Sequence, residues 1–113
     1  MKLMIFTLTF IMLMSYGVSN AFGAGHPSAG KKIFQGFCIQ CHGVNGDGNG
    51  VAAPALMEKP ANFTDPKLWM MGDDAFFIHI IRKGRKIMPG FWDTLSTQQI
   101  LDVLSYEKTF LKK

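Results

Sequence analysis

The sequence predicts an all-α domain of three to four short helices joined by long loops, and three observations predict it. Residues 28–40, 73–83 and 96–110 space their apolar side chains at helical intervals. No segment sustains the period-two alternation of a half-buried strand bounded by hairpin turns, so strands are required nowhere. Between the first two helical segments, four glycines and three prolines break residues 43–67 into irregular chain.

Taken in order, the chain begins with Met1-Lys2 and a nearly charge-free apolar run from Leu3 to Val18. Small residues then alternate with larger ones through Ala24. This is the layout of a secretory signal peptide, expected to span residues 1–23 and to be cleaved after Ala21 or Gly23. The run is shorter than the roughly 20 apolar residues that cross a bilayer, although retention as an anchor stays open as the alternative. No cysteine follows it to carry a lipid. Residues 24–113 are then expected to form one domain with no membrane span, outside the cytoplasmic membrane and most simply in a periplasm.

In that domain, Ser28 is a candidate N-cap for a first helix carrying Ala29, Ile33, Phe34, Phe37 and Cys38 on one side. Asp73 and Asp74 precede Ala75–Lys83, with acids at the start, cations at the end and Gly84 just beyond. That order suits the helix dipole and a glycine C-cap. Ser96 and Gln99 form a candidate capping box ahead of Ile100, Leu101, Val103, Leu104 and Phe110. A structureless loop of some thirty residues in so small a domain is unusual unless something large packs where further elements would lie.

Composition limits the function classes. The full chain has 12 Lys and Arg against 8 Asp and Glu; without Lys2 the balance is +3, too mild to suggest nucleic-acid binding. Arg82, Lys83, Arg85 and Lys86 concentrate the positive charge in one place. A domain of about 90 residues has a marginal core, so a cofactor, metal or disulfide is a natural source of further stability. The only two cysteines stand three positions apart, where a disulfide would restrain little of the unfolded chain.

Those cysteines belong to Cys38-Ile39-Gln40-Cys41-His42, the spacing of c-type haem attachment: two thiols to add to the vinyl groups and an imidazole for the iron. A zinc site would need a further ligand pair, and a thioredoxin-like redox pair a βαβ context. Neither occurs. The glycine run 43–50 lacks the Gly-Lys-Ser/Thr ending of a phosphate loop and the closing glutamate of a calcium loop, and reads as a tight turn. Trp69 and Trp92 are candidate propionate donors, left unassigned because a large aromatic in a small domain more often serves packing.

From about Ser28 to Phe110 the chain resembles a class I bacterial cytochrome c. The resemblance rests on the attachment motif, on Gly30 and Phe34 before it, and on Val103 and Tyr106 in the last helix. It implies the cytochrome c fold wrapped around one covalently bound haem c, attached through Cys38 and Cys41. It further implies His42 and Met88, within Ile87-Met88-Pro89, as axial iron ligands, and Pro54 as the residue whose carbonyl orients the haem histidine. Met57, Met70 and Met71 are rival methionines, and His79 and His26 rival histidines.

With both axial positions filled, the expected activity is one-electron transfer by a monomeric, diffusible carrier rather than an enzyme. The basic group at Arg82, Lys83, Arg85 and Lys86 is then a candidate docking surface for the acidic face of a redox partner, or simply the decoration of a helix C-terminus. The alternatives are haem-based small-ligand binding or sensing, and a haem subunit held in an oxidase or dehydrogenase complex.

Overall fold

The computed structural model describes residues 24–111, so the expected signal peptide at 1–23 lies outside the described residues. Five α-helical segments carry the fold: α1 (Pro27–Phe37), α2 (Ile39–His42), α3 (Pro66–Trp69), α4 (Asp74–Lys83) and α5 (Thr97–Glu107). Single 3-10 turns lie at Ala53–Ala55 and Lys108–Phe110. Among the described residues the only β-type pairing is an isolated bridge between Arg85 and Met88. No helix among them is long and apolar enough to cross a membrane.

The first helix differs from its sequence expectation at both ends. It starts at Pro27, whose missing N–H costs nothing at the first helical position, and its N-cap is His26 rather than Ser28. The continuous helix expected through Gln40 instead breaks at Cys38, and α2 resumes as a separate turn. α4 and α5 start as their caps predict. The Asp73 carboxylate accepts from the Phe76 amide, and Ser96 and Gln99 form the reciprocal capping box. α3 is an addition at the end of the expected loop, started by Asp65 accepting from the Lys67 amide and by Pro66 behind it.

α1 and α5 pack directly on each other. Gly30 makes this possible: a Cβ there would sit 1.9 Å from the Asp102 carbonyl oxygen on α5. One turn further on, Phe34 is fully buried, edge-on to Tyr106 at 5.4 Å between ring centroids and tilted against Phe110 at 5.3 Å. Burial of that ring contributes about 2–3 kcal/mol. Ile100, Val103 and Leu104 complete the α5 side, and Phe77 and Ile81 bring α4 into the same core.

The N-terminal segment is strapped across α5. One Asp102 carboxylate oxygen accepts from the His26 amide (2.8 Å), the His26 ring (3.2 Å) and the Gln98 side chain (2.9 Å). The Ser105 hydroxyl also donates to the Gly25 carbonyl. Burial raises the Asp102 carboxyl, but the bonds from Gln98 and His26 outweigh it and hold the group below its usual range.

Candidate haem site

The break at Cys38 shapes the attachment motif. Cys38, Cys41 and His42 stand three and four positions apart in helical chain and so share one face. Both thiols are free and half-buried. Burial first, then the nearby charges of Glu107 and Cys41, push the Cys38 thiol up to about 12, so it is neutral at physiological pH.

α2 is only four residues long and leaves its last carbonyls without helical partners. The glycine run supplies them. The amides of Gly48, Gly50 and Ala52 donate to the carbonyls of His42, Cys41 and Gln40 at 2.8, 3.1 and 2.8 Å. A Cβ on Gly50 would lie 2.2 Å from the Gln40 oxygen, so the chain passes there only as glycine. The run is therefore a tight turn, as expected, and its close approach is to the carbonyls of α2.

His42 is buried, and its Nδ1 lies 3.1 Å from the Ala61 carbonyl oxygen. A carbonyl only accepts, so Nδ1 carries the proton and Nε2 keeps its lone pair. Burial lowers the imidazole's pKa while the Ala61 bond opposes it, leaving the ring neutral and able to bind metal. This corrects the expectation for Pro54. The loop carries Pro54 into an exposed 3-10 turn and returns past His42 nineteen residues later, so the orienting carbonyl is that of Ala61. Phe63, held by its amide to the Gly46 carbonyl, stacks on the imidazole at 4.7 Å.

His42 and Met88 both line a cavity of about 280 Å³, otherwise walled largely by Phe63, Leu68, Phe76, Phe77, Ile80 and Ile81. Met88 arrives on a tight turn in which Arg85 and Met88 exchange backbone hydrogen bonds (3.1 and 2.9 Å) and Lys86 adopts φ +55°. The amides of Phe91 and Trp92 donate to the carbonyls of Ile81 and Arg82, fixing that turn to the end of α4. Among the rival methionines, Met57 and Met70 are almost fully exposed. Met71 reaches the cavity but is half exposed. His79 is exposed on α4 and away from the cavity, and His26 is engaged by Asp102.

The indole N–H of Trp69 donates to the Phe63 carbonyl at 3.0 Å, and Trp92 is exposed. Of the basic group, Arg82 donates to Thr97 and Lys86 pairs with Glu58 at 2.9 Å, while Lys83 and Arg85 are exposed without such partners among the described residues. One residue escaped the sequence reading altogether. Glu107 is 5% exposed and lines the cavity. The signal was present, because Glu107 follows Val103 and Leu104 by four and three positions and so continues the apolar stripe of α5.

A nitrogen donor and a thioether on the walls of one apolar cavity, with two thiols on the histidine's own helical face, form a donor set suited to an iron porphyrin. Among the described residues no three His, Cys, Asp or Glu side chains converge as a zinc-type ligand set.

Comparison with known proteins agrees. Residues 25–106 match the family model described as cytochrome c oxidase, cbb3-type, subunit III. Cytochrome c6 of Synechococcus elongatus is 36% identical over 77 residues, covering 68% of this chain and 82% of that protein. The cbb3-type cytochrome c oxidase subunit FixP of Bradyrhizobium sp. (strain ORS 278) is 39% identical over 82 residues, but the match spans only 26% of its length. Among solved structures, the KustC0563 c-type cytochrome superposes with a TM-score of 0.64 at 24% identity, over 74% of this chain and 98% of that one, which supports the fold. The chain thus belongs to the class I c-type cytochromes, proteins of the cytochrome c fold that bind haem c covalently and transfer electrons.

Proposed function

We propose that this cytochrome is a diffusible one-electron carrier exported from the cytoplasm, with residues 1–23 as its leader and the periplasm as its compartment. Cys38 and Cys41 would hold the haem through two thioether bonds, and His42 and Met88 would be the ligands to its iron. Haem c, once attached, supplies the Fe(II)/Fe(III) couple. The observation that carries this reading is the placement of the His42 imidazole and the Met88 thioether on one apolar cavity, with His42 Nδ1 held by the Ala61 carbonyl.

Each protein group has a defined task. The Ala61 carbonyl fixes the His42 tautomer and strengthens Nε2 as a donor. The Arg85–Met88 turn holds the thioether in place through a change of oxidation state, and Pro89 stiffens the chain beyond it. Phe63, Phe77, Ile80 and Ile81 give the cavity its apolar walls. The Met88 thioether would favour the reduced state more than a second nitrogen ligand, and with His42 and Met88 both bound the iron would have no site left for a substrate.

The domain works as a monomer whose basic group meets an acidic face on its redox partners. Lys83 and Arg85, unengaged by acids among the described residues, are the cations most available for that contact. Such charge raises the encounter rate without prolonging the complex, which suits a carrier that must leave again. The test is charge reversal at Lys83 and Arg85, with electron-transfer rates to an acidic acceptor measured across ionic strength. The docking role predicts a lower rate at low salt and a flatter salt dependence; an unchanged salt dependence refutes it. Mass spectrometry of the mature protein reads the leader and the haem together, and a mature N-terminus near Met1 refutes cleavage.

A further inference from the structure

The chain's entry into α1 carries nitrogen donors that electron transfer does not use. Once the leader 1–23 is removed, the domain begins Ala24-Gly25-His26-Pro27. An α-amine, two backbone amides and a histidine third in the chain make a four-nitrogen chelate, whose fused rings close around one ion in a plane. Copper(II) and nickel(II) favour that planar nitrogen geometry, whereas zinc favours a tetrahedral one. Only one side chain takes part, so such a site needs no cluster of His, Cys, Asp or Glu, and none of three or more converges among the described residues.

Part of that chelate is already in place. The His26 amide and His26 Nδ1 both donate to the same Asp102 oxygen, at 2.8 and 3.2 Å, so two of its nitrogens converge on one point. The His26 backbone is extended (φ −108°, ψ 107°), and its side chain is 67% exposed. Upstream, Gln98 and Ser105 donate to the carbonyls of Ala24 and Gly25, so α5 grips this segment by its oxygens. The Gly25 amide donates to nothing among the described residues. None of these residues lines the haem cavity.

We propose that the mature N-terminus is a binding site for one divalent copper or nickel ion, held by the Ala24 α-amine, the Gly25 and His26 amide nitrogens and His26 Nδ1. This rests on residues 1–23 being the leader. Each coordinated amide gives its proton to water, and the α-amine does the same where it is protonated. A carboxylate only accepts, so Nδ1 carries a proton in the metal-free protein; on binding, the exposed ring keeps its proton on Nε2 instead. The ion stays divalent and no electron moves. Cu2+ binds more tightly than Ni2+, following the general order of divalent metals.

In the metal-free protein the Asp102 oxygen holds the place of the ion. With the ion bound, the two His26 nitrogens turn from the carboxylate to the metal, and the strap exchanges its hydrogen bonds to α5 for metal–nitrogen bonds. The helix is spared. The His26 carbonyl, which accepts from the Gly30 amide at 2.9 Å, is not a ligand, and Pro27 has no N–H to lose, so the chelate ends where α1 begins.

The test starts from the intact mass of the exported holoprotein, which reads its N-terminus. Cu2+ alone is then titrated into the oxidised protein and followed by electron paramagnetic resonance, with Ni2+ as a competitor. One variant is His26→Gln; a second inserts a glycine ahead of Ala24, which moves the histidine out of third place and alters no residue of the strap. The wild type is expected to hold one equivalent of Cu2+ with the hyperfine pattern of a planar four-nitrogen site, to yield it to excess Ni2+, and to keep its haem spectrum. Both variants are expected to lose that signal. A chain starting at Ala24 that shows no such signal, or a signal that survives in either variant, overturns the proposal while leaving export and electron transfer intact. A chain starting at Phe22 does the same, and one that retains Met1 overturns both the site and the leader.

Discussion

Substituting alanine at Gly30 and at Gly36 makes the same chemical change in the same helix, yet the two are predicted to act in opposite directions. At Gly30 the new Cβ would meet the Asp102 carbonyl at 1.9 Å, whereas ordinary contact begins near 3.4 Å. α1 and α5 must therefore separate by about 1.5 Å along a seam that includes Phe34 and Val103. Overpacking on that scale costs about 3 kcal/mol, the upper part of the usual range. Alanine's better helix propensity returns about 1 kcal/mol, leaving a net loss of about 2 kcal/mol. In a domain of this size that lowers Tm by about 8–16 °C. At Gly36 nothing lies within 4 Å of the new methyl, so the propensity gain of about 0.5–1 kcal/mol stands alone and Tm rises by about 2–8 °C. Thermal unfolding of the two holoproteins, followed by circular dichroism, gives both signs. Equal shifts in one direction would refute the claim that the α1–α5 contact depends on a backbone approach at Gly30.

Two further predictions concern α5. Ser96→Ala removes one half of the capping box and should cost about 1 kcal/mol, read from a denaturant midpoint at unchanged m-value. Asp102 has a depressed carboxyl pKa, so its contribution is complete above about pH 4 and is lost as pH falls through the lower native value. Asp102→Asn should therefore flatten the acid limb of stability against pH. It should also speed amide exchange at His26, whose amide donates to that carboxylate. An unchanged acid limb would show that the strap contributes nothing to acid stability.

What the sequence disclosed followed the range of the interactions involved. Caps and attachment spacing act over three or four residues, so Asp73, Ser96 with Gln99, and Cys38 to His42 were legible as short patterns. The α1–α5 contact was legible only through family resemblance, because nothing local says that Gly30 faces the Asp102 backbone. The orienting carbonyl was misread as that of Pro54. Which carbonyl reaches His42 depends on how residues 43–65 fold back, and that is decided by the unpartnered carbonyls at the end of α2. The break at Cys38 was hidden because its residue types suit a continuous helix. Glu107 lay in plain view on an apolar stripe, where a single acid is easily passed over when a helix is judged by its average periodicity.

The central claim is that His42 and Met88 close the two axial positions of a covalently attached haem. It is tested most directly by optical spectra of the purified wild type and Met88→Leu in both oxidation states. The account predicts a sulfur-to-iron charge-transfer band in the oxidised wild type, absent from the variant, together with carbon monoxide binding only by the reduced variant. A wild type without that band, or one that binds carbon monoxide as readily as Met88→Leu, would contradict it.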